Sequence, residues 1–122
     1  MQKESKYTTM WICDGILYIT YKPIPELDLR AAKKIVAGRL IFQRHQPYPI
    51  LCRIQHLKNI SDQALDHFAT KGSLMASAVA ILTNNDYDQS LALLFRDVHH
   101  PQVPVKLFKS ELNALAFLQD YK

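Results

Sequence analysis

Apolar and polar positions change their period several times along the chain, and each change predicts an element. Residues 7–13 and 16–22, "YTTMWIC" and "ILYITYK", are β-branched and aromatic, with Asp14-Gly15 between them. Such residues fit a pleated, half-buried surface. Asp-Gly suits a tight type I′ turn, because both central residues need positive φ. The two runs predict a β-hairpin. Pro23 and Pro25 end its second strand, since proline brings no N–H to a ladder.

The period then becomes helical. Asp28 is a good N-cap for "LRAAKKIVAGRLIFQRHQ" (29–46), where Leu29, Ala32, Ile35, Val36 and Leu40 form an apolar stripe. Arg30, Lys33, Lys34 and Arg44 fall on another face. Glycine costs about 1 kcal/mol relative to alanine in a helix interior, so Gly38 reads as a close approach to the sheet. Pro47 and Pro49 stop the helix, and "PILCRI" (49–54) predicts a short apolar strand. A second helix starts near Ser61, turns Ala64, Leu65, Phe68 and Ala69 inward, and ends at Gly72. "SAVAILT" (77–83) is almost continuously apolar, as a strand covered on both faces should be. Asn84 or Asn85 caps a third helix, with Tyr87, Leu91, Leu94, Phe95 and Val98 at spacings of three and four. "VPVKLF" (103–108) reads as a fifth strand. Ser110 caps a last helix that turns Ala114, Leu115, Leu118 and Tyr121 inward.

The order ββαβαβα predicts an α/β fold in a single domain over residues 1–122. Alternation implies right-handed crossovers and a parallel set of strands. About five strands are expected, with helices mainly on one face.

Composition narrows the functional classes. Hydrophobic residues make up 48% of the 122, enough for a core without disulfides. Cys13 and Cys52 belong to no CxxC or zinc-spaced set and lie in predicted strands, so they read as buried, reduced thiols. No apolar run approaches the roughly 20 residues of a membrane span, and "MQKESKYTTM" has no signal-peptide core. A cytoplasmic protein without a transmembrane segment is expected. The net charge is +4, and residues 29–61 hold seven basic side chains and no acidic one. That asymmetry would attract an acidic partner, nucleic acid or anionic lipid. Aromatics do not interleave with the basic residues, and no zinc-finger or RNP-type motif is present. A solvated helix face is the simpler reading, and nucleic acid is not an expected partner.

Catalytic chemistry finds little footing. Of five histidines, His99 and His100 are adjacent and diverge, while His56 and His67 are eleven apart. No HExxH, Walker, GxGxxG or GxSxG pattern occurs. Asp86 and Asp88 fall in the first turn of the third helix, where carboxylates complement the helix dipole. No enzyme, metal or cofactor is expected.

The stretches "YPILCRIQHLKNISDQALDHFA", "SAVAILTNN" and "PVKLFKSELNALAFL", in this element order, resemble STAS domains, the anti-sigma-factor-antagonist fold. The chain is similar over nearly its whole length to small stand-alone bacterial STAS-like proteins of unassigned function. The resemblance implies a non-enzymatic protein-interaction or regulatory module. In antagonist members a serine in an Asp-Ser-Ser-Gly-like loop is phosphorylated by a partner kinase. Here the loop reads "LKNISDQAL". With Leu57 set against the family's loop leucine, the phosphorylated position falls near Gln63, and the pattern is absent. Ser61 lies two positions earlier, where an N-cap is needed.

Topology adds one constellation. If strands three to five are parallel, their C-terminal ends share one edge, where open α/β sheets tend to bind ligands. The loops there carry His56, Lys58, Ser61 and Asp62, then Thr83, Asn84 and Asn85, then Lys109 and Ser110. Two readings follow. Either the chain binds another protein through the second helix and its preceding loop, or it binds a small ligand or lipid at this edge or in a gap under the first helix. An apolar cavity with convergent polar groups favours the ligand. A flat apolar patch beside the second helix favours the protein. A homodimer is also expected, because an exposed hairpin edge needs protection by pairing.

Overall fold

The computed structural model describes residues 1–122. Six strands form one sheet: β1 Gln2–Glu4, β2 Thr8–Cys13, β3 Ile16–Tyr21, β4 Tyr48–Arg53, β5 Ala76–Leu82 and β6 Val105–Phe108. Four helices accompany them: α1 Leu29–Gln43, α2 Asp62–Thr70, α3 Asp86–Val98 and α4 Glu111–Gln119. The strands stand in chain order across the sheet. β1 to β3 are antiparallel and β3 to β6 parallel.

The hairpin forms as predicted. Asp14 and Gly15 have φ of 53° and 77°, the two positive values the turn requires. Trp11 and Tyr18 face each other across it, with rings stacked 5.2 Å apart, which helps fix the register. β1 adds a sixth strand to the expected five. "QKE" carries no apolar alternation, so nothing in its pattern predicts a strand. It is placed by a turn in which the Ser5 hydroxyl accepts from the N–H groups of Tyr7 and Thr8 at 3.2 and 3.1 Å. β1 pairs with residues 9–11 and so covers part of the hairpin edge on which the homodimer expectation rested.

Parallel strands laid down in sequential order force their right-handed crossovers onto the same face. α1, α2 and α3 accordingly share one face of the sheet, where their Ala31, Ala32, Ile35, Ala64 and Ala92 join Leu17, Ile19, Ile50 and Ile81. α4 crosses the other face and packs Ala114 and Leu118 on Ile16, Leu51, Ala78, Ala80 and Leu82. β5 thus contributes to both cores, which explains its continuous apolar run. No helix is long and apolar enough to cross a membrane.

Three local readings need correction. A Cβ added at Gly38 meets nothing within 4 Å, so this glycine marks no close approach. The buried stripe of α1 runs through Ala32, Ile35 and Val36 to Arg39 and Gln43, while Leu40 is only half-buried. α3 buries Asp88 and Ala92 fully and Leu91 and Phe95 in part, leaving Tyr87, Leu94 and Val98 exposed. Its apolar arc is wider than the face it presents to the edge strand β6.

Candidate functional site

The loops after β4, β5 and β6 do share one edge, as parallel strands require. Three of the nine polar side chains expected at this edge cap helices. The Ser61 hydroxyl accepts from Ala64 N–H at 3.0 Å, Asn85 Oδ1 from Asp88 N–H at 2.9 Å, and Ser110 from Asn113 N–H at 3.3 Å. Asn85, rather than Asn84, is therefore the cap of α3. Thr83 is buried, and its N–H donates to Phe108 O at 3.0 Å. His56, Lys58, Asp62, Asn84 and Lys109 are exposed.

The backbone of the 56–61 loop is held tightly. Lys58 N–H donates to Ile24 O and Ser61 N–H to Leu27 O, each at 3.1 Å, extending the parallel pairing of β3 and β4 beyond the sheet. Asn59 Nδ2 adds a bond to Pro25 O at 3.2 Å. His56 and Asn59 take left-handed φ of 55° and 49° to make this path. No hydrogen bond or ion pair joins His56, Lys58, Asn84 and Lys109 to one another.

A different place forms a pocket that is partly open to solvent. Between the sheet and helices α1, α2 and α3 lies a cavity of about 120 Å³, with 19 of its 23 lining residues hydrophobic. Ile50, Val79 and Ile81 form its floor, and Ile35, Leu65, Phe68 and Leu91 reach it from the three helices. None of His56, Lys58, Ser61, Asp62, Thr83, Asn84 or Lys109 lines it. The predicted edge and the cavity are separate parts of the molecule.

Polar chemistry in the cavity wall comes from Arg39, Tyr21, Cys52 and Ser73. Arg39 is only 4% exposed. Its Nη1 donates to Gln43 Oε1, and its Nη2 donates to Gly72 O at 2.8 Å and Leu74 O at 3.1 Å. A guanidinium has five N–H donors. These three bonds leave Nε–H and one Nη1–H with no protein acceptor, and no carboxylate pairs with the group. The Gln43 side chain is itself fixed, its amide donating to Gln46 O and Met75 O at 2.8 and 2.9 Å.

Burial depresses the Arg39 pKa below the ordinary guanidinium value, while Tyr21 and Cys52, within electrostatic reach, oppose that shift. Burial also raises the Tyr21 phenol well above its usual value and pushes the Cys52 thiol up to about 12. Tyr21 meets the Phe68 ring edge-on at 6.3 Å, and its hydroxyl makes no hydrogen bond within the protein. Cys52 is thus an inert thiol at neutral pH, whereas Cys13, expected to be buried, is exposed at the end of β2.

The basic stretch of residues 29–61 is not one face. Arg39 is inside, and Arg53 pairs with Glu111 at 2.6 Å. His99 sits between α2 and α3, bonded to Asp66 and 3.7 Å from Asp62. No three His, Cys, Asp or Glu side chains converge as a metal set would.

The profile described as "Domain of unknown function (DUF7793)" matches residues 10–122. The chain belongs to the DUF7793 family. The match to this DUF7793 chain starts within β2 and takes in every element after it. No curated protein matches the sequence. Among solved structures, an uncharacterized protein from the DUF3478 family with a SpoIIAA-like fold, from Shewanella loihica PV-4, is similar over 95% of this chain and 98% of that one. Its TM-score is 0.63 at 14% identity. That likeness shows the fold alone, which is SpoIIAA-like and therefore STAS-like, as the sequence resemblance implied.

That Arg39 and Tyr21 line one pocket was not legible in the sequence. The available signal was the position of Arg39, three residues after Val36 and four after Ile35 on the stripe that α1 buries. A charged residue in an apolar stripe is the anomaly that marks it.

Proposed function

We propose that this chain is a non-enzymatic, STAS-like binding domain that holds a small apolar molecule between its sheet and helices α1 to α3. The cavity is the observation that carries this reading. The pocket leaves apolar surface in contact with water, which costs about 25 cal/mol per Å². A ligand that binds only the folded state stabilises it by mass action and offsets that cost. The cavity is close in size to one of about 150 Å³ that stays dry and takes up benzene, which sets the guest at about six carbons.

The test is a titration with 1-hexanol, followed by methyl NMR. Shifts should concentrate on Ile35, Ile50, Val79, Ile81 and Leu91. Ile16, Leu51 and Leu82, across the sheet under α4, should not move. Shifts absent from the first set overturn the reading.

A second reading, a protein partner engaged by α2 and its preceding loop, draws on another observation. His56, Lys58 and Asp62 are exposed on a segment whose backbone is pre-ordered by its bonds to Ile24, Pro25 and Leu27. Ordered loops lose less entropy on binding. No residue of α2 or this loop is among the exposed large hydrophobics, so the contact would be polar. Affinity capture with wild type, Lys58→Glu and Ser61→Ala tests it. A partner lost in Lys58→Glu and kept in Ser61→Ala supports this role, and equal capture by all three removes it.

A further inference from the structure

Resting on the cavity reading, we infer that the molecule held there is a small carboxylic acid, its apolar body in the cavity and its carboxylate on Arg39 and Tyr21. Three observations meet at one place. The cavity wall is overwhelmingly apolar, so the body of the guest must be apolar too. Its one cation, Arg39, is 96% buried, yet no carboxylate of the protein neutralises it. Two guanidinium N–H groups and the Tyr21 hydroxyl make no hydrogen bond within the protein, and Arg39 Nε and the Tyr21 hydroxyl oxygen keep a small contact with solvent through which a ligand could reach them.

Buried charges are normally paired, because an uncompensated one is costly to desolvate. Arg39 is instead neutralised only by dipoles: two main-chain carbonyls and the Gln43 amide oxygen. These hold the guanidinium plane in a fixed orientation between α1 and the turn before β5 without cancelling its charge. The free Nε–H and Nη1–H lie on different edges of the guanidinium, so Arg39 would give a carboxylate one charge-assisted hydrogen bond rather than a bidentate pair. Tyr21 supplies a second donor. Its phenol stays protonated at neutral pH because burial opposes ionisation, so it can donate.

The alternatives fit less well. A neutral guest would leave the charge uncompensated. An inorganic anion would leave the apolar space unfilled. Only about six carbons of a long-chain lipid would fit inside, and the rest of its chain would lie outside the pocket. Hexanoate and 1-hexanol are therefore the informative pair, since they share a chain length and differ in the head.

The experiment is titration of the full chain at pH 7 with sodium hexanoate and, separately, 1-hexanol, by methyl NMR and calorimetry. Hexanoate should bind about tenfold or more tightly than hexanol, as a charge-assisted hydrogen bond predicts. Arg39→Met should erase that preference while hexanol still binds, and Tyr21→Phe should reduce it. Equal or weaker binding of hexanoate by the wild-type protein overturns the inference and leaves the cavity reading standing. So does a preference that survives in Arg39→Met. If neither compound binds, the cavity reading fails and takes this inference with it. The wild-type comparison decides the question even if Arg39→Met does not fold.

Discussion

Replacing Gly38 with alanine should make the protein more stable. Gly38 lies inside α1, and a Cβ built on it meets no atom within 4 Å. The substitution therefore creates no clash and buries no new contact. What remains is the backbone term. Glycine loses more conformational freedom on folding, so alanine should gain about 0.5–1 kcal/mol. In a chain of 122 residues that corresponds to a rise in Tm of roughly 2–5 °C. Urea denaturation should show a higher midpoint with an unchanged m-value, since the surface exposed on unfolding does not change. Gly15→Ala is the internal control. Its φ of +77° strains any L side chain, although the nearest atom, Lys122 Cδ, would lie at an ordinary 3.6 Å. It should lose about 1 kcal/mol or more. The reasoning is refuted if Gly38→Ala is destabilising, or if the two variants shift the midpoint in the same direction.

The same measurement reads the α2 cap. Ser61→Ala should lose about 0.5–2 kcal/mol, and Ser61→Asp, which keeps an acceptor for Ala64 N–H, should be tolerated; equal losses in both would count against a cap. At pH 7.5 a thiol reagent should label the exposed Cys13 much faster than the half-buried Cys52, and equal rates would contradict the packing of β4. The Cys52 thiol, pushed up to about 12 in the fold, should also make stability fall as pH rises above its unfolded value of about 8.5, because the unfolded chain loses that proton first. The slope approaches about 1.4 kcal/mol per pH unit and should shrink in Cys52→Ala. With β1 over part of the hairpin edge, a homodimer would use the outer edge of β6; light scattering that finds only monomer at high micromolar concentration removes the dimer.

Most of the architecture was legible because its signals are local. Asp14-Gly15, the caps Asp28, Ser61 and Ser110, and the apolar run of β5 each specify an element within a few residues. β1 was not legible, since three polar residues become a strand only when Ser5 turns the chain back along β2. On the inward face of α1, Ala32, Ile35 and Val36 were read correctly, while Ala31 before them and the positions beyond were missed. Periodicity alone prefers Leu40 to Arg39, and the guanidinium goes inside because carbonyls of Gly72 and Leu74, more than thirty residues away in sequence, receive it. The residues proposed at the strand edge were chosen by type and by topology. Topology placed them on one edge, but type could not distinguish a cap such as Ser61 or Ser110 from a ligand-facing group.

The two faces of the sheet separate a packing lapse from a site. Under α4, Ala78 and Ala80 meet Ala114, and these small residues let the helix approach closely. None of them lines the cavity. On the opposite face the sheet is built of larger side chains, Ile50, Val79 and Ile81, while three helices must share the surface above them. Space at such a junction would ordinarily be filled by one more aliphatic side chain from the buried stripe of α1. At the position that could supply it, the chain carries Arg39 instead. A buried ion is often no better for stability than a hydrophobic residue of similar volume, so packing alone does not call for arginine there. Sequences are locally consistent with their folds except where function requires otherwise. A half-open apolar pocket and a buried cation with no carboxylate partner on its wall are two such departures, and a small carboxylic acid would compensate both.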